Sequence, residues 1–107
     1  MKLTIESIAQ DGYHLICLEG DVDTMTAPDL LDALTALELA ALSELRIEMA
    51  QVGFLSSAGL RALVFAKQKM PHASRLVLVG TSTEIADVIT KTGLTQAVTL
   101  VASHDDA

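Results

Sequence analysis

Tryptophan is absent, and Tyr13, Phe54 and Phe65 are the whole aromatic complement of 107 residues. Half of the chain is nevertheless apolar, so the core must be packed from Leu, Val, Ile, Ala and Met, and the composition excludes a disordered chain. Cysteine occurs once, at Cys17, which excludes a disulfide framework; inside its apolar run the thiol reads as core. No apolar run approaches the roughly 18 residues of a membrane span. The opening Met1 to Glu6 alternates like a strand and lacks the continuous apolar stretch of a signal peptide, so a reducing cytoplasm is the expected compartment. Bases are scarce as well: the net charge is -7, which disfavours contact with nucleic acid or anionic lipid. His14, His72 and His104 lie far apart without a second ligand at metal-binding spacing, and the six glycines form neither a dinucleotide nor a phosphate-loop fingerprint, so no metal and no cofactor is expected.

The acid that is present is unevenly placed. Residues 1 to 50 hold ten Asp or Glu against Lys2 and Arg46, a net of -8, while residues 51 to 107 hold four against five bases, a net of +1. A partner can read that polarity. The length suits one domain, with no repeat, linker or low-complexity tract.

Asp11-Gly12 between two β-prone runs signals an opening hairpin, whose second strand covers Tyr13 to Leu18 before Glu19 to Asp23 breaks the pattern. Thr26-Ala27-Pro28-Asp29 starts a helix with Thr26 as N-cap, and Leu30, Leu31, Leu34 and Leu37 carry it to about Leu42. Leu45, Ile47 and Met49 then alternate with Glu44, Arg46 and Glu48, which predicts a strand with one apolar face and one wet face. A second helix is expected from about Ala58 to Met70, stopped by Pro71, then a buried strand over 75–80. Thr81 to Glu84 has capping-box spacing for a third helix that Gly93 ends, followed by a short strand over 97–101 and a frayed tail over 103–107. Three successive right-handed crossovers put all three helices on one face of a mostly parallel sheet. The fold class is therefore α/β, with a mixed, mostly parallel sheet opened by a hairpin.

The stretch Val52 to Leu60 runs an apolar strand through Ser56 and Ser57 and a small-residue corner into the second helix. Three readings of that corner are open. Ser57 read alone is an N-cap, since the first amides of a helix lack partners one turn back. As a nucleophile elbow it is incomplete, because Ser57 has Gly59 two residues after it but Leu55 two before it. A phosphorylation site is the third. Ser57, Arg61, Phe65 and Gln68 share a helical stripe, with Phe65 either core or contact. Asp21 and Asp23 follow the second strand and are expected near the corner, where open α/β sheets place their sites, or else form a solvated turn.

From Glu48 to Leu60 the chain resembles the STAS family, the sulfate-transporter and anti-sigma-factor-antagonist domains. The family pattern is an acidic strand end, then a Phe-hydrophobic-Asp-Ser-Ser/Ala-Gly-Leu corner leading into a helix. Gly20-Asp21-Val22-Asp23, Thr26-Ala27-Pro28 and Thr92-Gly93-Leu94 fit it too. The resemblance implies a stand-alone anti-sigma factor antagonist, itself no enzyme and monomeric when free. It would bind a serine-kinase anti-sigma factor in a partner-switching pathway and be inactivated by phosphorylation on Ser57, with Ser56 the alternative acceptor and a cognate phosphatase reversing it. It also implies a partner surface of Asp21, Asp23, Thr24, Ser56, Ser57, Ala58, Gly59, Arg61 and Phe65. Ser56 departs from the family, which often has Asp there. Two other functions compete: a STAS subunit docking on the ATPase of a membrane transport complex, and a small hydrolase using Ser57.

Overall fold

A computed structural model describes residues 3–107. Asp11-Gly12 makes the expected hairpin, with Gly12 at φ +91°, between antiparallel β1 (Thr4–Gln10) and β2 (Tyr13–Val22). The chain continues through α1 (Ala27–Thr35), β3 (Glu44–Leu55), α2 (Ser57–Lys69), β4 (Arg75–Val79), α3 (Thr83–Lys91) and β5 (Thr99–Val101). Among the described residues the five strands form one sheet in the order β1-β2-β3-β4-β5, parallel from β2 onward.

Leu45, Ile47 and Met49 are buried on one face of β3, and one core joins them to Ile16, Leu18, Leu76 and Leu78 beneath all three helices. Leu30 and Leu34 of α1, Leu63 and Ala66 of α2, and Ile85 and Ile89 of α3 close over that face, as right-handed crossovers in one direction require.

The opposite face is less wet than the alternation implies. Glu44, Arg46 and Glu48 are only half-exposed, and their ladder partners Val77 and Val79 are buried outside the main core. The tail helps to cover this side. Far from fraying, His104–Asp106 form a 3-10 turn, with His104 Nε2 2.8 Å from Glu48 Oε2 and Nδ1 3.2 Å from Arg46 Nη1. A guanidinium can only donate, so Nδ1 accepts and Nε2 carries the proton given to Glu48. The Arg46 guanidinium also lies 3.7 Å from the Tyr13 ring centre. Cys17, expected in the core, is half-buried here, opposite Glu48 in the ladder; burial, then Glu6 and Glu48, push its thiol pKa up.

Boundaries differ from expectation in α1, β2 and β5 by more than the single residue seen at the ends of α2 and β4. α1 stops at Thr35 instead of about Leu42, and a 3-10 turn over Leu39–Ala41 buries Leu39 against the core, so packing overrides helix propensity. β2 runs on to Val22, past Gly20 at φ +118°, which leaves Asp21 in the strand and only Asp23 in the loop. β5 starts at Thr99 because the amides of Ala97 and Val98 close turns onto the Leu94 carbonyl. Gly93, at φ +79°, follows α3 in the expected left-handed conformation.

Candidate functional site

The corner after β3 is built by the strand beside it. Between Cys17 and Asp21 the β2–β3 ladder shifts register twice, and β3 uses one more residue than β2 at each shift. Such bulges re-aim side chains. Here the phase changes after Met49, so that Val52 and Leu55 point inward while Phe54 is 52% exposed. The Val22 carbonyl then accepts the Ser56 N–H at 2.7 Å, which fixes the corner to the end of β2.

Ser56, not Ser57, is the N-cap. It is extended (φ -79°, ψ 169°), and its Oγ accepts the Gly59 N–H at 3.2 Å. Its carbonyl accepts the first helical bond, from Leu60 N–H at 3.0 Å. Ser57 is the first helical residue, one position earlier than the expected start, and it is exposed with its hydroxyl unbonded among the described residues. The two adjacent serines thus differ in kind: Ser56 is 9% exposed and structural, and Ser57 faces solvent. A Cβ on Gly59 would stand 2.6 Å from Val22 Cγ1 and 2.7 Å from Leu55 Cδ1, so only glycine lets α2 sit this close to both strand ends.

The acidic loop is also wired differently from expectation. Thr26 does hold the N-cap position before α1, but it has helical backbone angles and makes no side-chain cap bond. Its hydroxyl turns back instead, donating to the Asp21 carbonyl at 2.7 Å and accepting the Asp23 N–H at 2.9 Å. Asp23 holds the turn, with Oδ1 accepting the N–H groups of Met25 and Thr26, each at 2.9 Å. The backbone N–H of Thr26 chiefly, with Met25 N–H and the Thr26 hydroxyl, lowers the Asp23 pKa below the usual carboxylate value. The Asp21 carboxylate lies against Gly53, 3.1 Å from where a Cβ would be. Likewise Ser82, not Thr81, caps α3, accepting the Ile85 N–H at 3.3 Å.

Two shallow grooves beside α2 meet at Arg61 and Phe65. One, of about 350 Å³, lies against α1 and is lined by Thr24, Pro28, Leu31 and Ala58. The other, of about 440 Å³, lies toward α3 and is lined by Ser57, Gln68, Thr92 and Leu94. Arg61 and Phe65 line both, with Phe65 half-buried on the ridge between them. The structure therefore brings Thr24, Ala58, Arg61 and Phe65 together on one side and Ser57 with Arg61 on the other. Ser56 and Gly59 lie beneath the surface, and Asp23 is committed to its turn. Sequence reasoning missed Met25, 83% exposed, and the outward turn of Phe54. Met25 stands between two threonines in a polar loop, which was the one available signal; nothing local marks the bulges that turn Phe54 outward.

Among the described residues no three His, Cys, Asp or Glu side chains stand together as metal ligands, and no helix is long and apolar enough to cross a membrane.

Residues 4–107 match the STAS domain over almost the whole chain. This chain belongs to the STAS family. It is 32% identical over 100 residues to an anti-sigma-B factor antagonist of Listeria monocytogenes, a match covering 92% of this chain and 88% of that protein. The crystal structure of an anti-sigma factor antagonist from Mycobacterium paratuberculosis superposes with a TM-score of 0.88 at 28% identity, over 98% of this chain and 90% of the other. The fold alone is shared with the phosphorylated form of the Bacillus cell fate determinant SpoIIAA, at 16% identity and a TM-score of 0.70, over 96% and 93% of the two chains. In this STAS domain position 56 is an N-cap, a role that Ser and Asp both fill well, and Ser56 fills it without a carboxylate beside Ser57.

Proposed function

We propose that this STAS domain is an anti-sigma factor antagonist of a partner-switching pathway, with Ser57 as the residue a serine-kinase anti-sigma factor phosphorylates. The observation that carries the reading is the contrast at the corner: Ser57 is exposed with a free hydroxyl, while the Ser56 hydroxyl is buried and engaged with Gly59 N–H. In the transfer, the γ-phosphorus of the kinase's ATP bonds to Ser57 Oγ as its bond to the β,γ-bridging oxygen breaks. ADP leaves with that electron pair, and the hydroxyl proton passes to a base on the kinase.

The product should keep its fold, because a phosphate at the start of a helix meets unpaired N–H groups and the positive dipole end. The added charge of about -1.5 to -2 acts outward, on the partner that covers Thr24, Ala58, Arg61 and Phe65. A hundredfold loss of affinity requires only about 2.7 kcal/mol. The domain itself works as a cytoplasmic, monomeric binding module, and a phosphatase returns it to the binding state. Hydrolysis by Ser57 lacks support, since the residues lining its groove include neither a histidine nor a carboxylate to serve as base. Incubation with the cognate kinase and ATP, followed by peptide mapping, tests the assignment: one phosphoryl group on Ser57 is expected. Phosphate on Ser56, or none, refutes it.

A further inference from the structure

Arg61 is the one charged side chain lining the two grooves that meet at Phe65, among the described residues. It is exposed, it lies one helical turn beyond Ser57, and it shares the α3-side groove with that serine. The ion pairs found among the described residues, Arg46 and Arg75 with Glu44, Lys91 with Asp87 and His104 with Glu48, leave it free. In a chain of net charge -7, a guanidinium with no carboxylate partner among the residues lining its groove asks for an anion.

We infer that Arg61 receives the phosphoryl group of phosphorylated Ser57 within the same molecule, so that phosphorylation both adds an anion and withdraws the groove's single cation from the partner. The inference rests on Ser57 as acceptor and adds to it a residue that reads the modification. Residues four apart on a helix face one another, and the planar guanidinium presents paired N–H donors that match phosphate oxygens. No lining neighbour offers a carboxylate to compete for the guanidinium: Leu60, Val64, Phe65 and Leu94 are apolar, and Gln68 and Thr92 are neutral. A partner carboxylate that Arg61 engages in the unmodified protein would then lose its counter-charge at the moment the phosphate arrives. Arg61 is thus a positioning and switching residue rather than a catalytic one.

The test places phosphoserine at position 57 during translation, so its outcome does not depend on any kinase. Phosphorus NMR follows the second ionisation of the phosphate, near about pH 6 in free phosphoserine, in otherwise unaltered protein and in Arg61→Gln, Arg61→Lys and Lys69→Gln variants. A guanidinium pair favours the dianion, so Arg61→Gln should raise that pKa by about 0.3 unit or more. Arg61→Lys should restore part of the difference, and about 1 M salt should shrink it. Lys69 lies two turns further along the same helix than Arg61, its ammonium 5.4 Å from the Phe65 ring centre, and should move the value less. A smaller shift for Arg61→Gln, or an equal one for Lys69→Gln, overturns the pairing. The phosphate mapping described above stands or falls separately, so the two failures are distinguishable.

Discussion

Replacing each serine of the corner with alanine separates the two roles the structure assigns them. In Ser56→Ala the Gly59 N–H loses its acceptor at a buried position where water cannot readily replace it. Loss of an N-cap costs about 0.5 to 2 kcal/mol, and burial places this site in the upper half of that range, about 1 to 2. For a domain of this size each kcal/mol lowers Tm by about 4 to 8 °C, so a fall of roughly 4 to 16 °C is expected. In Ser57→Ala no hydrogen bond is lost and the side chain is exposed, so stability should stay within about 0.5 kcal/mol. Far-UV circular dichroism in urea suits a chain without tryptophan, and an unchanged slope with a lower midpoint confirms that stability alone has moved. Phosphorylation should show the reverse pattern, retained in Ser56→Ala and abolished in Ser57→Ala. If Ser57→Ala costs as much stability as Ser56→Ala, or if Ser56→Ala alone abolishes phosphate incorporation while the protein stays folded, the division of roles is wrong.

Gly59→Val should destabilise by about 1 to 3 kcal/mol, because even its Cβ needs space held by Val22 and Leu55; denaturant midpoints measure this, and a neutral result would show that α2 can shift freely. Ser57→Glu should weaken binding to the kinase by tenfold or more, about 1.4 kcal/mol, while Tm moves by only a few degrees. Calorimetry beside thermal unfolding checks that, and affinity falling only in step with stability would place the effect in the fold. The Asp23 carboxyl titrates below its unfolded value, so its share of stability is present above that value, about 3.9, and is lost as pH falls through the folded pKa. Carbon-detected NMR titration should show the depression in the native protein and keep most of it in Thr26→Val, because the backbone N–H donors of Thr26 and Met25 are its main cause; loss of the whole depression in that variant would refute this.

The order of elements, the hairpin at Asp11-Gly12 and the single apolar face of β3 were legible because each depends on local periodicity or turn chemistry. So was the corner itself, whose small residues and paired serines mark a strand passing into a helix. The identity of the cap was not. Ser56 and Ser57 are chemically the same, and a shift of one residue in the helix start decides which is buried; the bond from Ser56 N–H to Val22 on a neighbouring strand sets that start. Thr26 reads as an N-cap on propensity, yet the Asp21 carbonyl and Asp23 amide take up its hydroxyl once β2 runs on to Val22. The tail reads as frayed because it is short and polar, and only the sheet beneath it offers Glu48 and Arg46 to His104, which lies 56 and 58 residues further along the chain. Sequence by itself determined which faces are apolar and where the chain turns, since those preferences act over a few residues. Tertiary structure decided which serine is free, which aspartate is bound and where Phe54 points, because each depends on a hydrogen bond or register shift between segments that local preference cannot sense.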